Sequence, residues 1–188
     1  MERTYKSVLN LLGIDNPARF YNRYLLEKND LRDKDGLPIV SEKTAYETFT
    51  IEETFLLKGD DKLKMRVRKR GQKGSYFYQV ISIMEQPSNK KGDEPIEVKR
   101  QISARDYLTL LERKNPLLKP VKKIRQAFVL SGHFCFIDTY TNVGDGLSVL
   151  NMRSEVDINS LKLPPSLKIK EDITNNKMYS TYNLAKTE

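Results

Sequence analysis

The sequence predicts a mainly antiparallel β fold of the α+β class, curling into a barrel with flanking helices. Three observations lead there. Short alternating segments recur along most of the chain, each bounded by Gly, Asp, Asn or Ser turns. A single well-signalled helix interrupts them midway, which is not the strand–helix alternation of a parallel α/β sheet. And one strand, Lys64-Met65-Arg66-Val67-Arg68-Lys69-Arg70-Gly71, alternates basic residues where an ordinary strand would place apolar ones. A chain of 188 residues is one domain, long enough to bury a single core.

The elements follow in order. Tyr5 to Leu12 sets Val8, Leu11 and Leu12 at helical spacing, with Gly13 as the stop, so residues 1–15 read as an N-terminal helix. Asn16-Pro17 opens a strand over Arg19–Leu26, and the polar, Gly- and Asp-containing stretch Lys28–Lys43 is a loop. Thr48–Leu57 alternates as a strand and turns at Gly59-Asp60-Asp61. The basic strand then meets Tyr76–Met84 through the Gly71-Gln72-Lys73-Gly74 turn. A hydrophilic loop over Gln86–Glu94 precedes a strand at Ile96–Ile102. Ser103-Ala104-Arg105-Asp106 starts the helix, with Ser as N-cap and an acid three residues on. Strands at 119–130 and 133–140 are split by Ser131-Gly132, and a last one covers 146–153. A tail from residue 157 holds Pro164-Pro165 and a short helix near 168–173. The reading is one domain: helix 1–15, barrel 16–156, and tail 157–188 packed on the barrel.

Charge narrows the function. Lys and Arg outnumber Asp and Glu by 33 to 25, for a net charge of +8, and such a balance favours anionic partners. Alternate side chains of a strand share a face, so Arg66, Arg68 and Arg70 lie together, as do Lys123 and Arg125 in Val121-Lys122-Lys123-Ile124-Arg125. Guanidiniums crowded on a sheet face repel unless an anion bridges them, and Arg suits bidentate phosphate contacts. The pattern therefore implies a polyanion site inside the sheet. A solvated edge strand or a localisation-like basic patch is the plainer reading of the same residues. The single cysteine, Cys135, excludes an internal disulfide and fits a reducing cytoplasm. No G-x-x-x-x-G-K-[ST] phosphate loop occurs, and the lone His133 has no dyad partner in view.

The order of motifs resembles the CYTH, or triphosphate tunnel metalloenzyme, superfamily. It is most similar to the CYTH-like C-terminal half of P-loop NTPase–CYTH fusion proteins of the TRPL translocation defect type. The resemblance spans roughly Gly13 to Asn183. Ile51-Glu52-Glu53-Thr54-Phe55-Leu56 resembles the second strand, Arg66-Val67-Arg68 the RxR strand, and Pro120-Val121-Lys122-Lys123-Ile124-Arg125 the P-I-x-K-x-R strand. Phe136-Ile137-Asp138 with Gly146-Leu147 resembles the closing hairpin, and Glu171-Asp172-Ile173-Thr174 the end of the fusion proteins. The resemblance implies an eight-stranded tunnel in which basic residues cradle a triphosphate and carboxylates hold Mg or Mn.

On that alignment the basic half is present and the acidic half is mostly replaced. Arg66, Arg68, Lys123 and Arg125 fall on phosphate-binding positions. The ExExK strand is Arg19-Phe20-Tyr21-Asn22-Arg23, so Arg23 stands for the lysine and Arg19 reverses a carboxylate; Arg153 does so on the closing strand and Lys99 on the fifth. Glu97 and Asp138 alone remain as metal candidates; Asp138 reads equally as an arginine's partner, and Glu97 reads more readily as an ion-pair partner than as a ligand. Glu52 and Glu53 lie where the family places no metal ligand and are assigned a structural role. The expectation is a degenerate, non-hydrolysing member. It binds triphosphate, nucleotide, or a phospholipid or inositol phosphate headgroup, with no cofactor required. The rivals are a triphosphatase using Mg or Mn through Glu97 and Asp138, and a basic module that docks protein or nucleic acid. A P-loop NTPase domain is the partner implied on the N-terminal side.

Overall fold

The computed structural model describes residues 22–28, 31–40, 47–57, 63–72, 74–84, 96–144, 146–152 and 156–186. Nine strands form one antiparallel sheet: β1 Asn22–Leu26, β2 Glu47–Phe55, β3 Leu63–Gln72, β4 Ser75–Met84, β5 Ile96–Ile102, β6 Val121–Leu130, β7 His133–Tyr140, β8 Ser148–Met152 and β9 Ile169–Asp172. Their order is β5-β4-β3-β2-β6-β7-β8-β1-β9. This is the expected mainly antiparallel β architecture, with two differences of detail from an eight-stranded tunnel. A ninth strand is added, and the described sheet is open, with β5 and β9 as its edges.

Turn chemistry fixes the hairpins. Between β6 and β7, Ser131 and Gly132 both take positive φ (48° and 82°), the condition for a two-residue turn that matches strand twist. The β3–β4 pairing closes at Gln72 opposite Ser75, with Gly74 at φ 85°. After β5 comes α1, Ala104–Leu111, with Ser103 as N-cap. The Asp106 amide donates to Ser103 Oγ at 3.0 Å and the Ser103 amide to Asp106 at 3.4 Å, which completes the expected capping box.

The tail departs from expectation. Residues 168–173 read as a short helix from sequence, but Ile169–Asp172 is strand β9, with Tyr24 opposite Asp172 and Leu25 opposite Glu171. The open edge of β1 offers this segment cross-strand backbone hydrogen-bond partners. Helical structure comes later, in α2, Thr181–Leu184. The expected N-terminal helix lies outside the described residues, and no described helix is long and apolar enough to cross a membrane.

Strand alternation gives the sheet two different faces. One carries two apolar clusters, with the Glu52–Lys122 ion pair on the same face between them. Tyr24, Leu26, Phe128, Cys135, Ile137, Leu150 and Met152 pack there with Val40, Ile158 and Leu167 from the connecting segments. Farther along the same face, α1 lays Tyr107 over Leu56, Val67 and Val80. Cys135 is a buried thiol of this core, and burial pushes its pKa up to about 11. The opposite face is polar in its middle. At one end, Leu25, Phe55, Val121, Tyr140 and Val149 are covered by the tail through Ile173 and Ala185. The Tyr182 ring meets Phe55 edge-on at 5.3 Å, and the Ile173 amide donates to the Arg23 carbonyl at 2.8 Å. The tail thus packs into one end of the sheet through Ile173 and Ala185. Replacing the fully buried Ile173 with Ala should cost about 2–5 kcal/mol in urea unfolding, as for other buried aliphatic truncations.

Candidate functional site

Sheet register assembles the polar face. On β2, Phe49, Ile51, Glu53 and Phe55 point to one side, and their cross-strand partners share it. Glu53 lies opposite Arg68, and Phe55 opposite Arg66. On the other flank, Phe49 lies opposite Arg125 and Ile51 opposite Lys123. Arg125 in turn faces Asp138 on β7, while Arg66 faces Ile81, whose neighbour on β5 is Lys99. Strands far apart in sequence thus deliver Arg66, Arg68, Lys123 and Arg125 to one patch.

The patch is a chain of alternating charges. Glu53 is its centre, with a fully buried side chain. Its Oε1 accepts from Arg68 Nε at 2.8 Å and from a second Arg68 nitrogen at 2.6 Å. Arg66 Nε approaches the same oxygen at 3.2 Å, and Lys123 Nζ stands 3.5 Å from Oε2. Lys123, 5% exposed, also reaches Asp138 at 2.9 Å. Arg125 grips Asp138 with two nitrogens at 2.6 and 2.7 Å, the paired geometry in which such contacts are strongest. Arg66 donates to Glu97 at 2.9 Å, and Lys99 Nζ lies 3.5 Å from that carboxylate. Aromatic rings back the guanidiniums: Arg125 lies 3.7 Å from the Phe136 ring centre and Arg70 4.0 Å from that of Phe49.

Proximity sets the ionisation. Burial alone would raise the Glu53 carboxyl, but Arg66, Lys123 and Arg68 outweigh it and hold Glu53 well below the usual carboxylate range. Asp138 is likewise lowered: Lys123 and Arg125 overcome its burial. Burial opposes the charge of Lys123 and Arg125, yet Asp138 reverses the balance and raises both. Arg70 goes the other way. Partial burial lowers it first, then repulsion from Arg125 and Arg68, with Glu47 offsetting only part.

No model of a protein family matches the sequence, and neither does any curated protein. Solved structures do match. The crystal structure of the inorganic triphosphatase NE1496 superposes with a TM-score of 0.58 at 18% identity, over 89% of this chain and 94% of that one. A second crystal structure, described as the hypothetical protein NE1496, gives 0.57 at 17% identity, over 88% and 95%. The fold is CYTH-like. At this level of identity the likeness concerns the fold, and the chemistry rests on the chain's own side chains.

Within this CYTH-like fold, the predicted residues separate into groups. Arg66, Arg68, Lys123 and Arg125 come together on one sheet face. Arg23 does not join them: its guanidinium donates to the Tyr179 carbonyl at 2.8 Å, at the end covered by the tail. Arg19 and Arg153 lie outside the described residues. Glu97 and Asp138 both reach the patch, each bound to cations. A divalent metal requires free carboxylate oxygens, and those of Asp138 are taken by Arg125 and Lys123. Among the described residues no group of three His, Cys, Asp or Glu side chains could hold a metal. This donor set does not fit one.

Sequence reasoning missed the weight of Glu53. It was assigned a structural role on its strand, yet it joins β2, β3 and β6 at one carboxylate. The signal was available only in the pairing: alternation from Ile51 to Phe55 puts Glu53 on the face that carries Arg66 and Arg68. Arg70, on the same face as Arg68, makes no ion pair among the described residues.

The lowered carboxyls fix a pH dependence. A group whose folded pKa lies below its unfolded value, about 4 for a free carboxyl, stabilises the fold above that value and ceases to as pH falls through the folded pKa. Urea unfolding should therefore show stability falling below about pH 4. Asp138→Asn should be less stable at pH 7 by about 3–5 kcal/mol, since it leaves Lys123 and Arg125 unpaired. It should also show a shallower acid loss than wild type.

Proposed function

We propose that the polar face binds a phosphate-rich anion and does not hydrolyse it. One observation carries this reading: Arg66, Arg68, Arg70, Lys123 and Arg125 converge on one sheet face with more cationic capacity than its carboxylates consume. Along the ion-pair chain, Arg66, Arg68, Lys123 and Arg125 face Glu53, Asp138 and Glu97, four charges against three; Arg70 and Lys99 add two cations and Glu47, whose charge acts on Arg70, adds one carboxylate, for a surplus of two. Each guanidinium carries five donors, of which Arg125 and Arg68 spend two on carboxylates. The remaining edges are pre-oriented for tetrahedral oxyanions, because the carboxylates already fix the planes of the guanidiniums.

Triphosphate is the first ligand to test, since a protein of like fold is named an inorganic triphosphatase. Nucleoside triphosphates and inositol phosphate headgroups present the same oxyanions. Hydrolysis by a metal-bound phosphate would need hard oxygen ligands, and Glu53, Glu97 and Asp138 are committed to cations instead. That commitment supports binding over turnover.

Calorimetric titration of tripolyphosphate in EDTA should show binding, with no phosphate released on adding Mg²⁺. Arg66→Ala and Arg125→Ala should each weaken binding by about tenfold or more, the scale of one charge-assisted bond. Metal-dependent phosphate release from the purified chain would overturn the non-hydrolysing reading, and absence of binding would overturn the anion site.

A further inference from the structure

The cation cluster carries its own anion. Glu53 is wholly buried and sits at a point where three basic side chains from two other strands converge. Its two oxygens are used unequally. Oε1 takes both Arg68 bonds, whereas Oε2 accepts no hydrogen bond among the described residues and meets only the Lys123 ammonium at 3.5 Å. Arg66 Nε is likewise without a well-formed acceptor, 3.2 Å from Oε1. A carboxylate engaged in this way supplies charge to three cations but full hydrogen bonding to only one. Buried ion pairs are held at a large desolvation cost, and this carboxylate shares its charge among three of the cations that would meet an anion on this face.

We propose that Glu53 is an internal counter-ion standing in for ligand charge, so that it sets how tightly the cluster holds a phosphate-rich anion. This rests on the anion-binding reading above. Without ligand, Glu53 keeps Arg66, Arg68 and Lys123 from repelling one another, and the site folds without an anion. With ligand, the same negative charge lies beside the incoming phosphates and opposes them. Glu53 is a positioning residue. It tunes affinity downward and holds the Arg68 fork in place, while the surplus cations Arg70 and Lys99 remain for the ligand. Asp138 does not play this part, because both its oxygens are fully bonded to Arg125 and Lys123.

Glu53→Gln separates the two effects. The amide keeps the shape and one acceptor for Arg68 but removes the charge. Like charges held close together in a poorly hydrated setting repel strongly, so with the Glu53 charge removed tripolyphosphate should bind the variant in EDTA at least tenfold more tightly than wild type. The ligand-free variant should melt roughly 6–20 °C lower, since a buried charge partner has been removed from a chain of this size. Tripolyphosphate should restore most of that loss, a larger shift than it gives wild type. A purely structural Glu53 predicts the lowered melting temperature without the anion-dependent recovery. Glu53→Asp, which keeps the charge, should gain no affinity.

If wild type binds and Glu53→Gln binds no more tightly, the inference is wrong while the anion-binding reading stands. If neither protein binds, both are wrong. Should the variant fail to accumulate, production and refolding with tripolyphosphate present decide the matter. Folding only with the anion supports the proposal, and failure with or without it overturns the proposal.

Discussion

Three strands of this sheet are tied together at one carboxylate that no water reaches. Glu53 on β2 receives Arg68 and Arg66 from β3 and Lys123 from β6, and through Lys123 the same chain continues to Asp138 and Arg125. A sheet face carrying this many basic side chains could not exist without such internal compensation, because like charges in a poorly hydrated setting repel strongly. Everything else on the polar face is arranged around that requirement. The aromatic rings of Phe49 and Phe136 support guanidiniums from below, and the tail shields the end where Phe55 and Tyr140 would otherwise meet water.

The apolar face does the conventional work of folding. Its side chains fill the space beneath α1 and beneath the segments around Val40, Ile158 and Leu167, and they supply the burial that offsets chain entropy. The polar face can then be specialised without bearing the whole stability of the domain. Natural sequences often break local rules of patterning where a site is built, and β3 is such a place: Val67 is buried on one side while Arg66 and Arg68 occupy the other.

The internal carboxylates also change what the basic pattern means. From sequence, crowded guanidiniums implied an external anion, because nothing else in view relieved their repulsion. The structure supplies Glu53, Asp138 and Glu97 as relief from within, so the pattern no longer demands a ligand by itself. What remains is a surplus of positive charge, with Arg70 repelled by its neighbours and stacked on Phe49. The case for phosphate rests on that surplus and on guanidinium edges held in fixed planes. The same pairing engages Asp138 and Glu97 with cations in this structure.

Much of this was legible in the sequence, for local reasons. Alternation is a property of neighbouring residues, so the strands, their turns and the faces of Arg66, Arg68, Lys123 and Arg125 could be read directly. The capping box at Ser103 followed in the same way. The β9 strand could not be read locally, because Ile169–Asp172 takes its conformation from the free edge of β1, some 145 residues earlier in the chain. Nor could Arg23, which matched a motif position yet turned to Tyr179 in the tail. Glu53 is the deepest case. Its residue type and strand were plain, but its role depends on which strands flank β2, and only β3 is its neighbour in sequence. The sequence by itself determined which residues share a strand face. Tertiary structure decided which faces meet, because ion pairing acts across space between strands whose order in the sheet no local pattern records.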